Sequence, residues 1–265
     1  MNKQLSLGNA FDLAATEYAN NIAVVDTGKR YTFSELKIAS DKLALGLIEK
    51  SVSKGDRVAL YCINSVEFAI CYMAIIKVGA VVVPVNLLQK AAEICYVLTN
   101  ANVKGLIYHQ SLQSTVDELK PMLNHSMFEL CIDEPTTEAT AWNSIFDNEG
   151  VLPAVDIDAE NDLAAILYTS GTTGKPKGAM LTHRNLIANT SSVYQAMKWR
   201  KGEDVVMLVL PMFHAFAATV GMLTPLTHGC CFVPMAKFEV DKLSKVIEQT
   251  KATVFLGVPS MFNVL

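Results

Sequence analysis

Short apolar runs alternate with segments of helical periodicity along most of the chain. An apolar run bounded by turn residues is typical of a buried strand, and apolar residues three and four positions apart indicate an amphipathic helix. These patterns predict strands at residues 57–62, 80–83, 106–108, 127–132, 164–167, 205–210 and 253–256. They predict one helix after a capping box of Thr32 and Glu35, and a second that Asn64 and Glu67 cap and Gly79 ends. Further helices are predicted at residues 90–100, 112–122, 186–197 and 240–250. Such alternation favours an α/β fold with mostly parallel sheets and helices on both faces.

Two stretches depart from this alternation. Residues 133–160 are polar and irregular, which predicts a loop excursion. Residues 205–226 carry no formal charge and are long enough to span a bilayer. Because this second stretch contains Pro211, His214 and Pro225, we favour a buried strand, a turn and a buried helix over a membrane span.

Composition restricts the class of protein. The 265 residues are 51% apolar and 18% charged, which excludes a disordered chain and allows one large domain or two small ones. The net charge of −4 argues against a nucleic-acid binder, which needs a basic surface. The six cysteines form no CxxC pair and no zinc-finger spacing with histidine, so we expect free buried thiols in a reducing compartment. With no secretion signal at the N-terminus, the expected location is cytoplasmic.

The segment with the clearest chemistry is LYTSGTTGKPKG, residues 167–178, which follows the predicted strand 164–167. Its glycines allow backbone N–H groups to approach an anion, its hydroxyls donate to phosphate oxygens, and its lysines supply positive charge. A solvated surface loop has a similar composition. The position after an apolar strand favours a ligand-binding loop, because α/β sheets bind ligands at the carboxyl ends of their strands. The segment is not a Walker P-loop, since Pro176 follows Lys175 where that motif requires Ser or Thr, and the chain has no GxGxxG.

The sequence YTSGTTGKPKG followed by AMLTHRNL resembles the phosphate-loop signature of the adenylate-forming superfamily. The segments YTFSEL, GDRVAL, IKVGAVVVPVN, LPMFHAF and TVFLGVPSMFNVL are similar to other motifs of that family in the same order. Asn86 resembles acyl-CoA synthetases more than peptide-synthetase domains, which typically have an acidic residue there. The run LPMFHAFAATVGMLTPL, followed by FLGVPSMFNVL, is most like bacterial long-chain fatty-acid–CoA ligases. The resemblance implies that residues 1–265 are a truncated N-terminal AMP-binding domain, an incomplete α/β fold that lacks the C-terminal small domain.

The resemblance also implies a reaction and a set of cofactors. A fatty-acid carboxylate would attack the α-phosphate of ATP and expel pyrophosphate, and the thiol of coenzyme A would then attack the acyl-adenylate. ATP, Mg²⁺ and coenzyme A are the implied cofactors. No catalytic residue is assigned within the chain, because the family's adenylation lysine would lie after Leu265. We therefore expect the 265 residues alone not to complete the reaction.

Site residues follow from the resemblance position by position. Thr169 would help to hold Mg²⁺, Lys177 would contact phosphate, and Lys175 is either a phosphate ligand or a solvated side chain. The implied nucleotide-binding residues are Thr169, Ser170, Gly171, Thr172, Thr173, Gly174, Lys175 and Lys177. His214 with Phe213 and Phe216 would line the pocket for the acid, although a histidine among apolar neighbours is also typical of a core.

Other residues and functions stay open. Tyr168 fits a packing role as well as a site role, and His183 needs no more than a capping or surface role. An adenylating ligase for an aryl or amino acid and a non-catalytic truncated nucleotide-binding protein are the alternative functions. The expected partners are small molecules and not nucleic acid. Oligomeric state and peripheral membrane contact of the parent protein are left undecided.

Overall fold

The computed structural model describes residues 5–133, 139–146, 150–169 and 175–264. The strands, β1 to β12 in chain order, are Ile22–Asp26, Lys29–Thr32, Arg57–Tyr61, Val81–Pro84, Gly105–His109, Phe128–Ile132, Thr140–Ala141, Leu163–Thr169, Lys177–Thr182, Val205–Leu208, Cys231–Pro234 and Val254–Leu256. The helices, α1 to α9, are Leu7–Glu17, Phe33–Glu49, Val66–Lys77, Ala91–Ala101, Gln113–Leu119, His183–Met197, Thr224–His228, Val240–Thr250 and Pro259–Phe262. Short 3-10 turns are Gln110–Leu112, Lys120–Met122 and Asn143–Phe146, and Ala217–Leu223 is a π-helical turn.

The described strands form two sheets. The order is β7-β6-β5-β3-β4-β8-β9 in the larger sheet and β12-β10-β11-β1-β2 in the smaller one. Neighbouring strands are parallel except β1 with β2 and β8 with β9, which are antiparallel. The predicted α/β class with mostly parallel sheets is therefore confirmed.

Side chains on the two faces of each sheet pack in different hydrophobic cores. In β3, Val58 and Leu60 pack in the central core, whereas Ala59 and Tyr61 pack with α4 and α5 on the opposite face. In β10, Val206 and Leu208 pack centrally, and Met207 packs with α8. This burial on both faces explains why the strands are continuous apolar runs. The layers are therefore helix, sheet, helix, sheet and helix.

Helix α3 belongs to the central layer. All its residues except Glu67 are buried, and its run VEFAICYMAIIK is apolar on every side. A helix that is apolar all round must be enclosed by protein. The buried ammonium of Lys77 at its end is paired with Asp12 at 2.7 Å and Asp41 at 2.5 Å. The long apolar segment is thus explained by burial between two sheets.

The cap of α3 differs from the prediction. Ser65, not Asn64, is the N-cap, and its hydroxyl accepts a hydrogen bond from Phe68 N–H. The Asn64 amide instead donates to the carbonyls of Leu210 and Met235, and its oxygen accepts from Met212 N–H. Asn64 therefore joins the ends of strands from different sheets, a role that local sequence does not reveal.

Three other predicted boundaries change. Residues 112–122 divide into a short α-helix between 3-10 turns, because Pro121 has no N–H to donate and disfavours a continuous helix. The described part of residues 133–160 contains β7 and a 3-10 turn in addition to loop. Helix α6 begins at His183 and not at residue 186, because residues 177–182 form β9, a strand that was not predicted.

The uncharged stretch at residues 205–226 forms β10, a turn, the π-helical turn and the first part of α7. This is the predicted sequence of strand, turn and buried helix. Among the described residues, no helix combines the length and the apolar character that crossing a membrane requires.

Candidate functional site

Strands β8 and β9 form an antiparallel hairpin at the edge of the larger sheet. Tyr168 lies opposite Gly178, and Thr169 lies opposite Lys177. The segment between these strands carries Ser170, Gly171, Thr172, Thr173 and Gly174, which lie outside the described residues, so their predicted role stays a prediction. The loop therefore joins two paired strands, and not a strand and a helix as its sequence context suggested.

The described ends of the hairpin present the expected chemistry to solvent. Thr169, Lys175 and Lys177 are exposed, and Thr169 and Lys177 are cross-strand neighbours. An exposed hydroxyl and an exposed ammonium at the same level of a hairpin can contact one phosphate group together. The chemistry of these side chains therefore suits the phosphate groups of ATP. The Thr169 hydroxyl would help to hold Mg²⁺ beside those phosphates.

Gly178 is required by close packing under the hairpin. A Cβ atom at this position would lie 2.7 Å from Ile166 Cγ2 and 3.2 Å from Tyr168 Cζ. A larger residue would therefore clash with Ile166 and crowd the Tyr168 ring. Gly178 thus allows β8 and β9 to pack closely.

Helix α4 contacts strand β8 and the residue that directly precedes β9. The Tyr168 hydroxyl donates to Asn100 Oδ1 at 2.6 Å, and the Tyr96 hydroxyl donates to the Pro176 carbonyl at 3.4 Å. The Lys175 ammonium lies 5.9 Å from the centre of the Tyr96 ring. Tyr168 is half-buried, and burial followed by the proximity of Tyr96 raises its pKa. Tyr168 is therefore a packing residue that also makes a directed hydrogen bond.

The predicted acid-pocket residues follow β10 in the smaller sheet. His214 is exposed, Phe213 is buried with its ring centre 5.8 Å from that of His214, and Phe216 is 52% exposed. The exposed side chain of His214 excludes the alternative of a core histidine. Helix α6, which follows the hairpin, packs on the π-helical turn that follows Phe216, so the two predicted segments are linked through one helix.

A cavity of about 820 Å³ contains none of the predicted site residues. It lies at the carboxyl ends of parallel strands from both sheets, close to Asn64 and Met235. Its charged or titratable lining residues are Asp26, Lys29, Arg30, Tyr31, Glu67, His109, Asp133, Lys237, Glu239, Lys242 and Lys245. Burial raises the pKa of Asp26, and the hydrogen bond from Val66 N–H opposes that rise. Sequence reasoning missed this cavity because its lining comes from many separate segments.

The sequence context of His183 suggested a capping or surface role, but the structure buries this residue. Its ring is fully buried, and Nδ1 accepts a hydrogen bond from Leu7 N–H at 3.2 Å. Burial lowers its pKa to about 4. Thr182, the preceding residue, caps α6 through its hydroxyl. The histidine therefore anchors the N-terminal helix.

Comparison with known proteins gives one family. The model of the AMP-binding enzyme family matches residues 11–265. The chain belongs to this family. Its members include sequences and structures to which this chain is similar over nearly its whole length.

Two curated relatives illustrate the similarity. The chain is 32% identical to the medium-chain fatty-acid–CoA ligase of Escherichia coli, over 98% of the chain and 47% of that protein. It is 31% identical to 4-coumarate–CoA ligase 3 of Arabidopsis thaliana, over 91% of the chain and 43% of that protein. The chain thus spans about half the length of these curated relatives.

Solved structures agree. A long-chain fatty-acid–CoA ligase of Archaeoglobus fulgidus superposes with a TM-score of 0.90 at 28% identity, over 98% of the chain and 53% of that protein. ATP-bound MatB of Rhodopseudomonas palustris superposes with a TM-score of 0.84 at 27% identity, over 98% of this chain and 51% of that protein. The chain therefore has the fold of about half of each of these two proteins.

Proposed function

We propose that the chain is the N-terminal part of an ATP-dependent acyl-CoA ligase that activates a fatty acid. In the first step a carboxylate oxygen bonds to the α-phosphorus of ATP, and the bond to pyrophosphate breaks. In the second step the sulfur of coenzyme A bonds to the acyl carbon, and AMP leaves. The proposal is carried by the β8–β9 hairpin, which presents Thr169 and Lys177 side by side at its loop end in a chain of this family.

The first step brings two anions together. Two unit charges about 4 Å apart repel by about 1 kcal/mol in water and about 4 kcal/mol at an effective dielectric constant of 20. Lys177 and Lys175 lower this repulsion by placing positive charge beside the phosphates. Thr169 adds a neutral hydrogen bond and, when Mg²⁺ is bound, an oxygen ligand; the ion would neutralise further phosphate charge.

The exposed side chains of His214 and Phe216 support an acid-binding surface near the turn after β10. An imidazole can donate to a carboxylate oxygen, and the phenyl ring offers apolar area for a hydrocarbon chain. The similarity to 4-coumarate–CoA ligase 3 supports an aryl acid as the second candidate substrate. The six free cysteines support a reducing, cytoplasmic location for the protein.

The test is acid-dependent exchange of pyrophosphate into ATP, measured with the full-length gene product on octanoate, palmitate, 4-coumarate and an amino acid. We expect exchange with the fatty acids and a loss of tenfold or more in Lys177→Ala, because a hydrogen bond to a charged group is worth about 1.5–3 kcal/mol. Lys50→Ala is the matched control, since Lys50 is exposed at the end of α2. Exchange with 4-coumarate alone would support the second candidate, and no exchange with any acid would refute adenylation.

A further inference from the structure

The loop end of the β8–β9 hairpin extends beyond the neighbouring strand β4. Strand β4 ends at Pro84, and its register with β8 places Val82 beside Ala165. In parallel strands this register brings Pro84 beside Leu167, so Tyr168 and Thr169 have no partner on β4. The end of the hairpin that carries Thr169 and Lys177 therefore needs support from outside the sheet.

Helix α4 supplies one contact to β8 and one to the residue that directly precedes β9. On β8, the Tyr168 hydroxyl donates to Asn100 Oδ1, and Tyr168 directly precedes Thr169. Before β9, the Pro176 carbonyl accepts from the Tyr96 hydroxyl, and Pro176 directly precedes Lys177. The two contacts thus hold the backbone on either side of the Thr169–Lys177 pair.

The same helix also holds Lys175. Its ammonium lies within about 6 Å of the Tyr96 ring, which is the range of a cation–π contact. Tyr96 and Asn100 lie four positions apart on α4, so both face the hairpin from one side of the helix. The helix is itself fixed to the sheet by the buried residues Ile94, Val97 and Leu98.

We propose that Tyr96 and Asn100 are positioning residues that hold Thr169 and Lys177 for binding the phosphates of ATP. This inference rests on the proposed function of the hairpin. Neither residue needs to touch the nucleotide. By restricting the hairpin before ATP binds, they reduce the conformational entropy that binding would otherwise cost.

The first experiment measures amide hydrogen exchange around Thr169, Lys177 and Gly178 in the ligand-free full-length gene product. We expect faster exchange in Tyr168→Phe and in Asn100→Ala, and no additional increase in the double variant, because both single changes remove the same hydrogen bond. Asn100→Asp keeps an acceptor oxygen and should retain protection. Thr99→Ala, an exposed substitution on the same helix, is the matched control. Unchanged exchange in both single variants would refute the support by α4.

The second experiment separates the two contacts of Tyr96. Tyr96→Phe keeps the ring beside Lys175 and loses the hydrogen bond to Pro176, whereas Tyr96→Leu loses both. In the full-length gene product we expect KM for ATP to rise roughly two- to tenfold in Asn100→Ala and Tyr96→Leu, with a smaller rise in Tyr96→Phe and little change in kcat.

The outcomes distinguish this inference from the function on which it depends. A fall in thermal stability with KM for ATP unchanged would assign Tyr96 and Asn100 a purely structural role and overturn the inference. Failure of the unsubstituted protein to bind ATP would overturn the proposed function and the link to phosphate. In that case the exchange measurement still shows whether α4 holds the hairpin.

Discussion

His183 shows how a single side chain can hold an element of the fold. Its Nδ1 accepts from Leu7 N–H, so a neutral ring carries its proton on Nε2, which has no hydrogen-bond partner among the described residues. Protonation of Nδ1 would break the bond to Leu7 and place a charge in the protein interior. The folded protein therefore favours the neutral imidazole.

The pH dependence of stability should reveal this burial. Because the pKa of His183 falls from 6.5 to about 4 on folding, the unfolded chain binds the extra proton between these values. The stabilisation from the neutral ring is present above about pH 6.5 and is lost as the pH falls towards 4. The free energy of unfolding decreases over this range by about 3 kcal/mol at most. Urea unfolding of the wild type and His183→Gln at several pH values measures this difference.

The control for that prediction is His214→Gln, which changes an exposed imidazole. We expect the stability difference between His183→Gln and the wild type to vary with pH between 4 and 6.5. His214→Gln reports the effect of the same substitution at an exposed position. Parallel profiles for the wild type and His183→Gln would contradict a buried neutral histidine. Local sequence could not predict this burial, because position 183 is enclosed by α1, which lies 176 residues away.

Helices with strong local signals were predictable as elements. The capping box of Thr32 and Glu35 is formed, and α8 spans residues 240–250 as predicted. These elements depend on neighbours within four positions in the sequence. Strand β9 lacked such a signal, because its first four residues are exposed and it begins with Lys177 and Gly178. Strands β1, β2 and β11 and helix α1 were likewise not predicted.

Removal of the cap should weaken α2. In Thr32→Ala the N–H of Glu35 loses its acceptor, and we expect a loss of about 1 kcal/mol in the free energy of unfolding. The hydrogen bond from Thr32 N–H also lowers the pKa of the Glu35 carboxyl. Thr99→Ala, within the exposed face of α4, should be neutral or slightly stabilising in the same chemical denaturation, because alanine favours a helix interior. Equal losses in both variants would rule out the cap as the cause.

At the scale of the molecule, Asn64 links the two sheets. It follows a strand of the larger sheet, and its three hydrogen bonds reach backbone atoms that follow strands of the smaller sheet. The segment of Leu210 and Met212 leads to His214, whereas Met235 and Asn64 itself line the 820 Å³ cavity. The relative position of the sheets near the candidate acid pocket therefore depends on one amide side chain.

Substitution of Asn64 tests this link. Asn64→Ala leaves two carbonyls and one N–H without this partner, and we expect a loss of about 2–4 kcal/mol in the free energy of unfolding. Asn64→Asp should be at least as damaging, because its second oxygen would face two carbonyl oxygens. Asn9→Ala, at an exposed position, is the control in the same denaturation experiment. A loss below about 0.5 kcal/mol for Asn64→Ala would contradict the proposed link.

By itself the sequence determined the α/β class, most of the long elements, the family and the candidate nucleotide-binding segment. Each of these depends on apolar periodicity, on caps or on a motif of contiguous residues, all of which are local along the chain. Only the tertiary structure decided that the segment connects two antiparallel strands, that α4 contacts β8 and the residue before β9, and that His183 is buried while His214 is exposed. The pairing of the two strands joins residues that are close in sequence but lacks a local signal, because the exposed start of β9 is not an apolar run. The contacts of α4 and the burial of His183 join residues 68 to 176 positions apart, whose proximity is set by the packing of the whole chain.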